Sequence, residues 1–192
     1  MSNLYTGKGD KGMTTFFGSA QQYPKSALRV EALGVLDEAN ALLGLAKVRA
    51  SDTALPPGAP ISTIASALEQ MQQDLFVIQA EVVGADKHLT QENISWLESL
   101  VEAIERELPP ITTFFLAGGS ELSATLDVAR TVARTAERRL VSFRHDGAMT
   151  GLEAGQPRAN TLVYINRVSS ALYALSRYVN HQAGHQEKAP LY

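Results

Sequence analysis

ISTIASALEQMQQDLFVIQAEVVG, residues 61–84, decides the architecture. Its apolar residues Ile61, Ile64, Leu68, Met71, Leu75, Ile78 and Val82 recur at alternating steps of three and four. That spacing draws one stripe along a helix and lets it run beside a neighbouring helix in a bundle. The flanking sequence supplies the neighbours. From Arg29 to about Arg49 the residues Ala32, Leu36, Ala39, Leu43 and Ala46 repeat the period, widened by Val35, Leu42 and Leu45. SDTALPPGAP, residues 51–60, carries three prolines and a glycine and reads as the loop between these two helices.

Downstream, a polar start at Thr90 and Glu92–Asn93 opens a helix through Ile94, Leu97, Val101, Ile104 and Leu108, which Pro109–Pro110 stops. ITTFFLAGGS, residues 111–120, is too short, β-branched and aromatic for a good helix, and its Gly118–Gly119 pair leads to Ser120 as an N-cap. A fourth helix follows through Leu122, Leu126, Ala129, Ala133, Ala136 and Leu140 to about Phe143, with HDGAMTGLEAGQP (145–157) as the next loop. Leu162, Ile165, Val168, Leu172, Leu175 and Val179 line the last helix, which ends near His181 to Gly184. Residues 1–28 show no sustained period, and no strand pair is expected. The chain reads as all-α: an antiparallel, ferritin-like five-helix bundle in a single domain (1–192), with an ordered glycine-rich arm at 1–28, the bundle at 29–184 and a tail at 185–192 that the core does not need.

Composition narrows the chemistry. The 192 residues are 45% hydrophobic and 19% charged, so the chain is no disordered polyelectrolyte. It has no cysteine, which excludes disulfides, thiolate catalysis and zinc–thiolate sites. With 17 Lys and Arg against 20 Asp and Glu, the net charge of −3 argues against a general nucleic-acid surface. Two local basic clusters stand out: Lys8, Lys11, Lys25 and Arg29 near the start, and Arg130, Arg134, Arg138 and Arg139 later. The opening MSNLYTGKGD does not look like a signal peptide and no window approaches a membrane span, so a cytoplasmic protein without membrane association is expected. His88, His145, His181 and His185 form no recognisable metal set, and no metal-ligating residues are assigned.

Polar groups sit beside the apolar stripes. Asp37 and Asn40 follow Leu36 and Ala39; Arg130, Arg134 and Glu137 follow Ala129, Ala133 and Ala136; Asn166 follows Ile165. Either they neutralise one another, as Asp37 with Arg130 and Glu137 with Arg134 or Arg138, or they bind an anion. The run Tyr5-Thr6-Gly7-Lys8-Gly9-Asp10-Lys11-Gly12-Met13-Thr14-Thr15 favours the second reading. Its glycines permit tight turns that aim amides inward, its lysines supply charge, its threonines supply hydroxyls, and Asp10 supplies a carboxylate for a cation. The Walker spacing is missing, and the formal G-x-G-x-x-G match has no strand–helix unit around it. A flexible glycine-rich segment is the alternative for this run.

YTGKGDKGMTT, RVEALGVLDEAN (29–40), FFLAGGS (114–120), ARTVARTAERR (129–139) and YINRVSSALYALSRYVN (164–180) together resemble the PduO-type ATP:cob(I)alamin adenosyltransferases, the corrinoid adenosyltransferases, over nearly the whole chain. The resemblance implies a cobalamin adenosyltransferase-like bundle, a homotrimer with active sites at subunit interfaces, and transfer of the 5′-deoxyadenosyl group of ATP to the cobalt of cob(I)alamin or a related corrinoid. Triphosphate leaves, with Mg²⁺ on the phosphates. The implied partners are a corrinoid reductase or an adenosylcobalamin-dependent enzyme.

By the same resemblance, Thr6, Gly7, Lys8, Gly9, Asp10, Lys11, Gly12, Thr14, Thr15 and Lys25 hold phosphate, while Arg130, Arg134, Glu137 and Asn166 contact nucleotide. Asp37 matches an aspartate that pairs with the arginine at Arg130's position across the subunit boundary, and Phe115 matches the aromatic below the corrin ring. Asp37, Arg130, Arg134 and Phe115 are thus the catalytic candidates. Thr135, Ala117, Ser170 and the Gly7-Lys8 opening depart from the family pattern. A non-enzymatic helical interaction protein, or an ATP-binding bundle with another acceptor, are the competing classes.

Overall fold

Small side chains line the seam between the first and fourth helices. In the computed structural model, which describes residues 5, 7–16, 18–150 and 155–191, helices α1 (Leu28–Ala50) and α4 (Glu121–Thr150) pack side by side. Ala32, Ala39 and Ala46 on the first and Ala129, Ala133 and Ala136 on the second are all buried. Leu36, Leu43, Leu126 and Leu140 fill the space between those short residues at near-zero exposure. α2 (Ile64–Val82) packs on the other flank of α1, α5 (Ala159–Gln182) on the other flank of α4, and α3 (Gln91–Glu105) against α5.

Polar contacts fix the directions. Arg49 Nε meets Glu121 at 2.7 Å at one end of the α1–α4 pair, and the Arg29 guanidinium lies 5.9 Å from the Phe143 ring at the other, so these helices are antiparallel. Contacts of Asn166 with Glu137 and of Ser176 with Ser123 make α5 antiparallel to α4. α3 runs parallel to α5, since Asn160, Arg167 and Arg177 reach Leu89, Glu98 and Pro109 in the same order. The result is the expected five-helix bundle, alternating in direction along the chain. No helix among the described residues is long and apolar enough to cross a membrane.

Helix starts follow local chemistry. Thr63 caps α2 by accepting from Ser66 N at 3.2 Å, Asn93 Oδ1 accepts from Thr90 N at 3.0 Å before α3, and Ser120 Oγ accepts from Ser123 N at 3.1 Å to cap α4. Residues 111–120 form no helix. Two readings need correction. α4 continues past Phe143 to Thr150, because buried Gly147 extends the line of Leu140 and Phe143 at helical spacing, and a Cβ there would overlap the Gln156 side chain. The arm also contains a strand pair: β1 (Met13–Thr15) and β2 (Gln22–Pro24) are antiparallel, with Thr14 opposite Tyr23. Strands of three residues are too short to show a period of two.

Arg29 docks this hairpin. Its guanidinium lies 5.1 Å from the Phe16 ring and 5.5 Å from the Tyr23 ring, which are themselves 4.6 Å apart, while Nε donates to Val82 O at 2.6 Å and Nη1 to Tyr23 Oη at 3.2 Å. One cation thus joins the hairpin to the ends of α1, α2 and α4. Gly155, at φ 76°, makes room for it, because a Cβ would overlap the guanidinium and crowd Val82 O.

A second polar cluster ties α2 to its neighbours inside the core. Asp74, 3% exposed, accepts from Tyr164 Oη at 2.7 Å and from Gln70 and Asn93, each at 3.1 Å. Glu81 accepts from Thr161 Oγ1 and Arg158 N, both at 2.6 Å. Burial raises the Asp74 carboxyl above its ordinary value against the opposing pull of its three donors. Tyr164 stays protonated, because burial and the neighbouring Asp74 push it well above the usual tyrosine range.

Tyr164→Phe is expected to cost about 1–3 kcal/mol in urea unfolding, by stripping the donor from one buried carboxylate oxygen. The folded state holds the Asp74 proton more tightly than the unfolded chain, so this group's contribution to stability falls as pH rises from about 4 through its raised value. Asp74→Asn should flatten that segment of the stability profile. Arg29→Ala should loosen the hairpin by on the order of 2 kcal/mol, read as roughly thirtyfold faster hydrogen exchange across Met13–Pro24 with the helices unchanged. Gly155→Ala should do the same by displacing the guanidinium.

Candidate active site

Two sites of different character lie at opposite ends of α4. The first belongs to the arm. Gly7 (φ 68°) and Gly12 (φ 77°) adopt a backbone that L side chains rarely enter, and between them Asp10 N donates to Gly7 O at 3.3 Å and Gly12 N to Gly9 O at 3.2 Å. These successive turns wrap a cavity of about 760 Å³ lined by Gly7, Lys8, Gly9, Asp10, Lys11, Met13, Thr14, Thr15 and Gln22. Lys25 N donates to Gly12 O at 2.9 Å, and the Lys25 Nζ would be 3.2 Å from a Cβ on Gly9, so the missing side chain lets an ammonium settle against the loop. Lys8, Lys11 and Lys25 therefore concentrate positive charge around one glycine-rich loop. Thr6 lies outside the described residues.

This donor set suits a polyphosphate. For a divalent cation the arm offers one carboxylate, Asp10, and the hydroxyls of Thr14 and Thr15. Among the described residues no three His, Cys, Asp or Glu side chains form a metal cage. Mg²⁺ takes one or two carboxylates plus phosphate oxygens and keeps several waters, so the arm fits a cation carried on phosphate rather than one held by protein alone.

The second site forms where the 111–120 loop, α4 and α5 meet. Phe115, Arg130 and Tyr173 are shared by two adjoining cavities of about 420 and 460 Å³. Ile111 and Phe114 line the more open, apolar part, and Phe114 is 79% exposed, a cost that solvent alone would not favour. Asp127 organises the polar wall: it accepts from Arg130 Nε at 3.2 Å, Ser176 Oγ at 3.1 Å and Gly118 N at 3.3 Å. Arg130 also stacks 5.7 Å from the Tyr173 ring, whose hydroxyl burial pushes to a higher pKa. Gly119, at φ 123°, approaches Asn180 so closely that any Cβ would overlap it, and Asn180 Nδ2 donates to Gly118 O at 2.7 Å. The Gly118–Gly119 pair is thereby fixed as the hinge from loop to helix.

The predicted ion pairs are not those observed within the chain. Arg130 pairs with Asp127 rather than Asp37, because a carboxylate three residues earlier on the same helix is closer than any on α1. Glu137 accepts from Asn166 Nδ2 at 2.9 Å instead of pairing with Arg134 or Arg138. Asn166 in turn accepts from Arg167, which pairs with Glu98 at 2.9 Å. Arg138 turns back to Arg134 O and Thr135 Oγ1. Asp37 and Arg134 are exposed and do not pair with each other. Glu137 and Asn166 thus come together, as do Arg130 and Phe115 at the wall of one cavity.

The arm docks beside Phe143, thirteen residues along α4 from Arg130, which is roughly 20 Å at 1.5 Å per residue. Asp127, Tyr173, Arg177, Asn180 and Glu187 are wall residues that the sequence reading passed over. Asp127 carried a local signal, its i,i+3 spacing to Arg130. Arg177 and Glu187 carried none, because their pairing depends on how the tail folds back on α5.

A family model for cobalamin adenosyltransferase matches residues 4–179. The corrinoid adenosyltransferase of Bacillus subtilis (strain 168) is 35% identical over 185 residues, covering 94% of this chain and 88% of that protein. The corrinoid adenosyltransferase PduO of Citrobacter freundii is 36% identical, and the match spans half of its length. Among solved structures, a variant PduO-type ATP:corrinoid adenosyltransferase from Lactobacillus reuteri, complexed with cobalamin and ATP, superimposes with a TM-score of 0.79 at 29% identity, covering 98% of this chain and 99% of that one. The chain belongs to the cobalamin adenosyltransferase family.

Proposed function

We propose that this protein transfers the 5′-deoxyadenosyl group of ATP to the cobalt of a reduced corrinoid. The observation that carries the reading is the aromatic cavity of about 460 Å³ edged by Phe115, Tyr173 and Arg130, in a chain whose arm forms a separate cationic cradle. The cobalt(I) of the substrate attacks C5′, the C5′–O bond breaks, and the electron pair leaves with triphosphate. The protein need supply no general base. Its residues align the two substrates, stabilise charge on the leaving group and keep water from the cobalt. Lys8, Lys11, Lys25 and the arm amides hold the triphosphate, with Thr6, Thr14 and Thr15 donating hydroxyls. Arg134 and Arg130 meet the charge that develops as it leaves, and Glu137 and Asn166 hold the nucleotide. Mg²⁺, when bound, neutralises phosphate charge, with Asp10 as its protein carboxylate. Phe115 lies against the face of the corrin opposite C5′ and favours a corrinoid without its lower ligand, the state in which cobalt(II) more readily accepts the electron that makes it the cobalt(I) nucleophile.

The two halves of this machinery are separated along one α4, so each site takes its arm from another copy of the chain. A homotrimer satisfies that requirement. Its support is the face of α1 and α4, which leaves Leu45, Val48 and Val128 at 44%, 77% and 51% exposure, together with exposed Asp37 free to meet Arg130 of a neighbour. A cytoplasmic location, a corrinoid reductase as supplier and an adenosylcobalamin-dependent enzyme as consumer complete the proposal.

With Mg²⁺, ATP and chemically reduced cobalamin under anaerobic conditions, the absorbance spectrum should convert to that of the alkylated corrinoid. ATP binding without that change would leave an ATP-binding bundle with another acceptor. Arg134→Ala should lower turnover by more than about a hundredfold, near 3 kcal/mol, with little loss of stability because the side chain is exposed. Oligomers reassembled from equal amounts of Arg134→Ala and Lys11→Ala chains should regain about a quarter of wild-type activity if arm and arginine come from different subunits. No recovery on mixing would place both in one subunit.

A further inference from the structure

Arg177 occupies a position that adenosyl transfer by itself does not call for. It is 6% exposed, yet it carries a full charge between three separate segments of chain. Nε and Nη2 donate to the two oxygens of Glu187 in the tail at 2.5 and 2.8 Å, and Nη2 also donates to Pro109 O at 3.0 Å, where the 109–120 loop begins. The guanidinium carbon stands 5.3 Å from the centroid of the Phe115 ring. The loop is tied a second time just after that ring, where Leu116 N donates to Lys188 O at 2.8 Å. The bidentate pair fixes the guanidinium plane, and the plane in turn fixes the ring. The hydrogen bond to Glu187 raises the Arg177 pKa further, so the cation persists at every working pH.

We propose that Arg177, locked by Glu187, is a positioning residue that holds the Phe115 ring in place and thereby sets the preference among corrinoids according to their lower ligand. This inference rests on the adenosyl-transfer reading above. A ring that must displace the lower base of a cobalt(II) corrinoid, before reduction to the cobalt(I) that carries none, has to resist being pushed aside, and the resistance comes from the Glu187–Arg177 lock, since Phe114 and Leu116 on either side are largely exposed. A corrinoid that carries no lower base makes no such demand. The tail therefore takes part in substrate discrimination although none of its residues need touch cobalt.

The test compares cobalamin, which has a tethered lower base, with cobinamide, which lacks one. For the wild type, Glu187→Gln and Arg177→Gln, kcat is measured at saturating ATP with both corrinoids supplied as cobalt(II) and reduced on the enzyme by a one-electron donor too weak to reduce them free in solution, and the thermal midpoint is followed alongside. Glu187 is only partly covered, with 18% of its side chain exposed, so its glutamine variant carries the comparison if Arg177→Gln fails to fold. The cobalamin-to-cobinamide ratio of kcat should fall at least about fivefold in both variants. A smaller change overturns the assignment, whether the two rates drop together, as a merely structural lock would make them, or stay as they are. A wild-type enzyme inactive on both corrinoids overturns adenosyl transfer itself, and this inference with it.

Discussion

Everything in this molecule depends on how closely α1 and α4 approach. Alanines at 32, 39 and 46 face a helix whose own buried line is alanine at 129, 133 and 136. Short side chains bring the backbones together and leave the next residue round each helix at the edge of the contact rather than inside it. Arg130, Arg134 and Glu137 are those next residues, and Asp37 follows Leu36 on the facing helix. Larger residues in the seam would spread the helices and displace every charged group that follows an alanine.

The bundle was legible in the sequence because its helices bury one stripe each, and a stripe repeated over several turns is hard to mistake. The Ser120 cap was legible too, since a hydroxyl after two glycines and before an apolar period has few other uses. What escaped was shorter or farther apart. Three-residue strands have no period, and they hold together through Arg29, which lies outside them. HDGAMTGLEAGQP (145–157) read as a loop, although a glycine such as Gly147 also serves where a neighbour, here Gln156, needs room beside a continuing helix.

The site was legible in its parts and opaque in its assembly. Phe115, Arg130, Glu137 and Asn166 could be named from motifs, but the partners of each were set by tertiary distance. Arg130 finds Asp127 within its own helix, and Glu137 finds an amide rather than a cation. Charged groups flanking an apolar stripe show where polarity concentrates. They do not show which of several equal charges will be nearest once the helices are packed.

The parallel course of α3 and α5 leaves the 106–120 loop at the same end of the bundle as the start of α4 and the end of α5. The loop never crosses the body of the molecule, so its whole length is available to shape one cavity. It also means that the residues pinning it are translated late. Arg177 and Glu187 leave the ribosome after Phe115, and α3, which packs on α5, gains its seam only with that last helix. Until then the loop is held only at its far end, where Gly118 bonds to Ser123 and Asp127 of α4, and the wall that Arg177 and Glu187 give the cavity depends on the last residues made.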